Sequence, residues 1–237
     1  MRKNDNFSIF CIITIPFYGI VILVIKMNNT IIYLIRHSEQ LKFKGDYISA
    51  DTDQTKNEKI VLSILGEKKA MELSQIEELH NIDKLYSSNY VRAIATAKYI
   101  AFENELEINV DERLGERKLG DLTELEKLGI GKRDSFTIEQ LQNPSLKNKD
   151  GESNLEVRAR MLDCINEILS KNEGKRIAIV SHGAAIRFFI QNWCTYNYDE
   201  DKYSFEDETI WRGYLDSPSC LKLQFIDKKL EKIERTY

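Results

Sequence analysis

The sequence predicts an α/β fold, a three-layer αβα sandwich whose mostly parallel sheet carries an antiparallel edge strand. The chain has 237 residues, of which 42% are hydrophobic, so it can bury one sizeable core without a second domain. Short apolar runs alternate with amphipathic segments, and this alternation is typical of βαβ units. The last segment instead has the pattern of a β-hairpin, which predicts the antiparallel edge.

The predicted strands are short apolar runs of the kind found in buried parallel sheets. They comprise residues 31–35, 83–88, 106–110 and 175–183, followed by a hairpin at 220–235 with its turn at 227–229. The predicted helices comprise residues 65–79, 90–105, 152–170 and 184–193. Apolar residues at helical spacing mark the expected core faces, namely Ala70, Leu73 and Ile76, then Ile94, Ala97 and Ala101, then Leu155, Leu162, Ile165 and Leu169.

Charge and cysteine content exclude several functional classes. The net charge is −4 and lysine and arginine form no clustered stripe, which argues against a nucleic-acid partner. Cys11, Cys164, Cys194 and Cys220 are far apart and include no C-x-x-C pair. This spacing argues against a zinc ribbon, a redox motif and a dense disulfide framework. A reducing cytoplasm is therefore the expected location.

The N-terminal segment allows two interpretations. Residues 7–25 form an uncharged apolar run of 19 residues, which as a helix would be about 28 Å long, close to the thickness of a bilayer core. This length favours a membrane anchor, and it is the one feature that predicts membrane contact. Alternatively, Met27 is the true start and residues 1–26 are an over-extension of the reading frame. Either way, the main domain is predicted at residues 27–237.

Cation-capable side chains follow three of the predicted strands. Arg36 and His37 follow the first strand, Arg92 lies shortly after the second, and His182 follows the fourth. In open α/β sheets, ligands bind beyond the carboxyl ends of the strands. Two arginines and two histidines suit a phosphoryl group, because guanidinium pairs with phosphate oxygens and imidazole can attack phosphorus. The sequence therefore predicts a phosphate site at this edge of the sheet.

Five sequence blocks resemble, in order and approximate spacing, the histidine phosphatase superfamily of phosphoglycerate mutase-like proteins. The blocks are LIRHSE, YSSNYVRAIATA, RLGERKLGDL, DGESNLEVRARM and IAIVSHGAAIR, and the resemblance covers residues 31–225. It implies a phosphoglycerate mutase-like fold and a histidine phosphatase domain at 27–237. It also implies that His37 is the phospho-accepting nucleophile, that Arg36, Arg92 and His182 hold the phosphoryl oxygens, and that Glu116 donates a proton.

The resemblance implies a metal-independent phosphomonoesterase that works through a phosphohistidine on His37 and needs no cofactor. A small-molecule phosphate ester or a phosphoprotein is the expected substrate, and the oligomeric state is left open. A phosphoglycerate mutase-type phosphotransferase and a catalytically dead phosphate-binding module remain as alternatives. Only about thirty residues separate Gly120 from Gly151, which is short for the cap insertion of a mutase and favours the phosphatase.

Several positions depart from the family pattern or allow a second role. Ser38 and Glu124 stand where family members commonly have glycine. Glu39 is the alternative proton donor, and Glu152 either begins a helix or also faces the pocket. Trp211 is expected to shield the site.

Three further features have structural interpretations. Residues 128–133, LGIGKR, are interpreted as a cap loop, and residues 195–211 as a solvated connection before the final hairpin. His80 is assigned no role.

Overall fold

The computed structural model describes residues 8–15, 19–26, 28–42, 51–121, 139–140 and 142–237. The strands are β1 (Ser8–Ile15), β2 (Gly19–Lys26), β3 (Asn29–Arg36), β4 (Lys84–Ser87), β5 (Ile108–Val110), β6 (Arg176–Ser181), β7 (Thr195–Asn197), β8 (Lys202–Phe205), β9 (Glu208–Arg212), β10 (Ser219–Ile226) and β11 (Lys229–Arg235). The helices are α1 (Asp53–Lys59), α2 (Ile64–Ser74), α3 (Val91–Asn104), α4 (Asn154–Lys171) and α5 (Gly183–Ile190).

A six-stranded sheet in the order β11-β10-β3-β6-β4-β5 forms the centre of the fold. Strands β3, β6, β4 and β5 are parallel, whereas β10 runs antiparallel to β3 and β11 antiparallel to β10. The mostly parallel sheet with an antiparallel edge is therefore confirmed. Helices connect the parallel strands because consecutive parallel strands cannot be joined by a tight turn.

Helices cover both faces of the sheet, as predicted for a three-layer αβα sandwich. On one face, Leu34 and Ile179 of the sheet belong to a core that includes α4 and α5. On the other face, Ile35 and Val180 belong to a core that includes α2 and α3. Adjacent strand residues thus point into opposite cores, which follows from the alternation of side chains along a strand.

Two predicted helix faces differ from the structure. On α4, the inward positions include Val157, Met161 and Ile165, so Leu155 lies on the opposite side and is 42% exposed. On α3, Arg92 faces inward at the first turn, and the buried face is therefore shifted from Ile94 to its neighbour Ala93. Each helix has a buried polar residue in its first turn, Arg92 in α3 and Asn154 in α4. These buried residues fix the rotation of the two helices.

Residues 195–211 are not a solvated connection, as the sequence had suggested. They form most of a second, antiparallel sheet, β7-β8-β9, which packs against the α4 and α5 core. Trp211 is buried there and stacks on Tyr203 with ring centroids 4.2 Å apart. The prediction that Trp211 shields the site is wrong, because stacking of large aromatic rings buries it in this core instead.

Strands β1 and β2 form an antiparallel hairpin in the N-terminal segment. The helical membrane anchor considered for residues 7–25 is thus not the structure found at Ser8–Ile15 and Gly19–Lys26. Within the described parts of the chain, no helix combines the length and apolar character needed to cross a membrane. The predictions for Glu124 and for the cap loop at 128–133 lie outside the described residues.

Candidate active site

The parallel register brings three strand ends together. Arg36 at the end of β3 lies opposite Ser181 at the end of β6, and Ser87 at the end of β4 lies opposite Val180. The pairing continues one residue beyond β3, because the His37 amide donates to the Ser181 carbonyl at 2.9 Å. The residues that follow these strands therefore meet at one edge of the sheet, as predicted from the sequence.

His37 is held in one tautomer by the backbone. Its Nδ1 lies 2.7 Å from the carbonyl oxygen of Ser38, and a carbonyl oxygen can only accept a hydrogen bond. Nδ1 therefore carries the proton in the neutral ring, and Nε2 keeps its lone pair. The Ser217 hydroxyl donates to the His37 carbonyl at 2.7 Å and fixes the backbone of the same residue.

The environment of His37 keeps its imidazole neutral. Burial, the Arg92 guanidinium and, to a smaller extent, Arg36 lower the pKa of His37 to about 3. Arg92 Nε also donates to His37 Nε2 at 3.1 Å, a contact that a protonated Nε2 cannot make. The imidazole is therefore neutral at physiological pH, with the Nε2 lone pair facing Arg92.

Arg92 is placed by the first turn of α3. The side chain is buried, and its guanidinium lies over the ring of Tyr90, 4.8 Å from the ring centroid. Its Nη1 donates to the carbonyl of Asn57. These contacts fix the plane of the guanidinium beside His37, so that the charge is oriented before any ligand arrives.

Arg36 approaches the site from the end of β3. Its guanidinium donates to the carbonyl of Leu215 and lies 4.6 Å from the ring centroid of Tyr214. Its Nε is buried and makes no hydrogen bond within the part of the chain that the structure describes. A Cβ at Gly183 would come within 3.2 Å of this Nε, so the absence of a side chain there allows the close approach.

His182 adjoins His37 and is fully buried. Its ring centroid is 5.0 Å from that of His37, and its Nε2 is 2.7 Å from the hydroxyl of Ser88. Burial and the neighbouring His37 and Arg92 lower the pKa of His182 well below its usual value. A second neutral imidazole thus stands beside the first.

Glu116 sits at the N-terminus of α5. One carboxylate oxygen accepts from the amides of Arg117 at 2.8 Å and Ala185 at 3.1 Å, and the other accepts from the amide of Ala184 at 3.3 Å. The carboxyl group is therefore fixed at the edge of the site by backbone donors.

The predicted residues form one constellation. A pocket of about 930 Å³ is lined by Arg36, His37, Arg92 and Glu116, with His182 in contact behind His37. A model of the histidine phosphatase superfamily (branch 1) matches residues 32–208, three quarters of the chain. The chain belongs to the histidine phosphatase superfamily.

Relatives in this superfamily include proteins named as mutases and as phosphatases. The probable phosphoglycerate mutase GpmB of Cronobacter sakazakii is 30% identical over 157 residues, which are 65% of this chain and 70% of the relative. The mycobacterial glucosyl-3-phosphoglycerate phosphatase has a similar structure, with a TM-score of 0.63 at 19% identity over 89% of this chain and 97% of that chain. The phosphoglycerate mutase of Bacillus anthracis gives a TM-score of 0.57 at 18% identity, over 88% and 93%. These structures share the phosphoglycerate mutase-like fold.

An ion pair that the sequence did not reveal supports Glu116 in this member of the histidine phosphatase superfamily. Arg160 binds the carboxylate of Glu152 through two contacts of 2.7 and 3.0 Å. The same guanidinium donates to three backbone carbonyls, those of Arg113 at 2.7 Å, Gly115 at 3.0 Å and Glu116 at 3.2 Å. Glu152 therefore does not act in the pocket, and its pairing with Arg160 holds the loop that carries Glu116. In the sequence, Glu152 and Arg160 stand eight residues apart, and this spacing was the only indication that the two side chains pair.

The two residues after His37 bind structural partners. The Ser38 hydroxyl donates to the carbonyl of Gly66 at 2.7 Å. Glu39 lines the pocket and accepts from Lys69 at 2.9 Å and from Ser63 at 3.0 Å. The hydrogen bonds from Lys69 and Ser63 lower the pKa of the Glu39 carboxyl. Glu39 is thus an ion-paired carboxylate. This makes it a poor candidate for the alternative proton donor that the sequence predicted.

Proposed function

We propose that this protein is a phosphomonoesterase that acts through a phosphohistidine on His37 and uses neither a metal ion nor a cofactor. The observation that carries the proposal is the state of His37. Its Nδ1 is bound to a carbonyl, its Nε2 lone pair is retained, and two guanidinium groups adjoin it. A neutral imidazole beside fixed positive charge is suited to attack on a phosphate ester, whose negative charge repels other nucleophiles.

The reaction proceeds in two displacements. In the first, His37 Nε2 attacks phosphorus, the ester P–O bond breaks, and Glu116 gives a proton to the departing alkoxide. In the second, the Glu116 carboxylate takes a proton from a water molecule, the resulting hydroxide attacks phosphorus, and the P–N bond breaks. His37 is released as the neutral imidazole.

Charge on the transferring phosphoryl group is balanced by the side chains around His37. Arg36 and Arg92 supply two positive charges, and His182 supplies an N–H donor in its neutral form. Arg92 Nε, which binds His37 Nε2 in the free protein, transfers its hydrogen bond to a phosphoryl oxygen when the substrate arrives. The assignment leaves no charge for a metal ion to neutralise.

A small-molecule phosphate ester is the substrate class that the pocket favours. Its volume of about 930 Å³ lies within the range of small-molecule sites. Beyond the catalytic residues, both signs of charge line it, among them Lys42, Lys69 and Asp216. Turnover of a panel of sugar phosphates, nucleotides, other phosphate esters and phosphopeptides measures this preference, and exclusive activity on phosphopeptides would contradict it.

Trapping the intermediate tests the mechanism. A rapid acid-free quench with ³²P-labelled ester is expected to leave base-stable, acid-labile phosphate on the wild type and none on His37→Ala. Turnover is expected to survive excess EDTA. Label on Ser38, or activity that EDTA abolishes and a divalent metal restores, would contradict the proposed mechanism.

A mutase is the second candidate, because a 30% identical relative is named a probable phosphoglycerate mutase. A mutase must keep the phosphohistidine until a second acceptor hydroxyl arrives, whereas a phosphatase admits water. Activity that requires a bisphosphorylated primer would identify the mutase. Tight phosphate binding without turnover on any ester would identify the third alternative, a binding module.

We also propose a cytoplasmic location. Cys164, Cys194 and Cys220 are free and buried, as expected for a protein of a reducing compartment. Fractionation of cells that express the full chain tests this, and recovery of the enzyme with the membranes would contradict it.

A further inference from the structure

A buried hydrogen-bond chain leads from the backbone to His182. The Tyr90 amide donates to the Ser88 hydroxyl oxygen at 3.3 Å, and that oxygen lies 2.7 Å from Nε2 of His182. Ser88 and His182 are completely buried. The ring of Tyr90 contacts the ring of His182 with centroids 4.5 Å apart, which fixes the plane of the imidazole.

Counting donors and acceptors decides the tautomer of His182. The Ser88 hydroxyl oxygen accepts from the Tyr90 amide, and its own O–H still needs an acceptor. Within the described residues, the acceptor within hydrogen-bond distance of this O–H is Nε2 of His182, at 2.7 Å. If Nε2 carried the proton, the hydroxyl would lack an acceptor and Nδ1 would lack a donor. If Nδ1 carries the proton, the Nδ1–H is the one group of this hydrogen-bond chain without a partner.

Arg36, the residue before His37, has a second unused donor. His182 Nδ1 and Arg36 Nε are both buried, and neither makes a hydrogen bond within the described part of the chain. Buried polar groups are normally paired, so an unused donor near His37 is available to an acceptor that arrives with a ligand. An oxygen of a phosphoryl group on His37 is an acceptor of this kind.

We infer that Ser88 is a positioning residue: its hydroxyl holds His182 as the Nδ1–H tautomer, and this leaves that N–H to serve the phosphoryl group. The assignment of the tautomer follows from the contacts alone. Its consequence for catalysis rests on the proposed function. Loss of the Ser88 hydroxyl removes the donor to Nε2, and the buried neutral ring is then free to place its proton on either nitrogen.

Nitrogen NMR of the full-length protein measures the tautomer directly. Long-range ¹H–¹⁵N spectra near neutral pH distinguish a protonated from an unprotonated ring nitrogen. The three histidines, His37, His80 and His182, are assigned by the loss of signals in single histidine variants. We expect wild-type His182 to be protonated on Nδ1 and Ser88→Ala to populate the Nε2–H form, with His37 unchanged. A wild-type His182 protonated on Nε2 would overturn the proposal whether or not any variant folds.

Ser87 supplies a matched control for the kinetics. It is the adjacent residue, equally buried, but its hydroxyl donates to the carbonyl of Ser88 at 3.0 Å and not to a histidine. We expect Ser88→Ala to lower kcat on the order of 10–100-fold for alkyl and aryl phosphates alike, since the phosphoryl group is the same in both. Ser87→Ala is expected to stay within about twofold of the wild type.

Two outcomes separate this inference from the proposed function. If the wild type hydrolyses no ester but Ser88→Ala shifts the His182 tautomer, the proposed function is wrong and the tautomer assignment stands. If the wild type is active and Ser88→Ala keeps both the Nδ1–H form and full turnover, the role of Ser88 is disproved. Equal losses in Ser87→Ala and Ser88→Ala would also disprove it, because only one of them contacts His182.

Discussion

Arg92 Nε donates to Nε2 of His37 at 3.1 Å, so the guanidinium contacts the atom that is assigned to attack phosphorus. The contact has two effects. The positive charge opposes protonation of the ring, and the hydrogen bond occupies the lone pair until a ligand displaces it. Under the proposed function, the same arginine keeps His37 neutral and then becomes available to the phosphoryl oxygens when the lone pair attacks.

Removal of the Arg92 charge should raise the pKa of His37. Burial is the first cause of the low value of about 3 and Arg92 the second, so the pKa in Arg92→Gln should rise but remain below its ordinary value. NMR titration of His37 between pH 3 and 8 measures the change. Arg113→Gln, at an arginine that binds surface carboxylates, is the control. An identical titration in Arg92→Gln would show that burial alone sets the pKa.

Stability should fall as the pH decreases from 7.5 to 5. The unfolded chain protonates His37 near pH 6.5, whereas burial and Arg92 lower the folded-state pKa to about 3, so the unfolded state binds the extra proton. The stabilisation is complete above pH 6.5 and should decrease by about 2 kcal/mol at pH 5. Urea unfolding of the wild type and His37→Gln measures it. The wild type should lose more stability than the variant, and parallel losses would contradict the assignment.

Glu116→Gln should affect substrates according to their leaving groups. A poor alkoxide leaving group needs the proton from Glu116, so hydrolysis of alkyl phosphates should slow on the order of 10²–10⁴-fold. An aryl phosphate should be affected much less, because its phenolate leaves without a proton. The ratio of kcat/KM for the two ester types measures the effect. Equal losses would assign Glu116 to water activation or to pocket structure, and Glu39 would then be the next acid to test.

Arg160→Met should impair the same acid step from outside the pocket. The variant frees the carbonyls of Gly115 and Glu116 and leaves the Glu152 carboxylate without its partner, at a cost of about 3 kcal/mol in the free energy of unfolding. Displacement of Glu116 should reduce turnover of alkyl esters about 10²-fold and of aryl esters less.

Arg113→Met is the control for Arg160. Its ion pairs with Asp111, Asp163 and Glu167 are partly or largely solvent-accessible, so their loss should cost about 1 kcal/mol each or less. The ratio of alkyl to aryl turnover should not change in this variant. A normal ratio in Arg160→Met as well would show that the guanidinium supports stability alone.

Gly66→Ala should disturb the segment that carries the nucleophile. A Cβ at this position would lie 2.0 Å from the carbonyl oxygen of Glu39, two residues from His37, and backbone must move to admit it. We expect a loss of about 3 kcal/mol in urea unfolding and a lower kcat. Gly213→Ala is the control, since its Cβ meets open space and costs only the positive φ of 70°, about 1 kcal/mol. Equal costs would contradict the close approach at Gly66.

The sequence by itself determined the layers of the fold and the residues at the ends of its strands. Alternating apolar runs and amphipathic segments predicted the parallel sheet, because each pattern has its own period and each must bury one face. Because parallel strands share one carboxyl edge, Arg36, His37 and His182 were expected at the same edge, and the pairing of β3 with β6 brings them together. The main members of the site were therefore predictable without coordinates.

Errors in the sequence prediction arose where local pattern and tertiary packing disagree. Residues 195–211 are acidic and aromatic, and only their packing against the α4 and α5 core makes them a sheet with Trp211 buried. Leu155 has helical spacing to the core residues, yet the inward position belongs to Asn154, whose side chain donates to the Gln140 carbonyl at 2.8 Å. Rotation of a helix depends on such contacts and not on hydropathy alone.

Tertiary structure alone decided how the site residues are tuned. The Ser88 contact with His182 joins residues 94 apart in the chain, and the Arg160 contact with Gly115 joins residues 45 apart. Neither pairing has a local signal, because a serine or an arginine is compatible with many partners until the fold brings one within 3 Å. The low pKa of His37 likewise depends on burial and on Arg92, 55 residues away in the chain, so it is a property of the folded chain and of no segment of it.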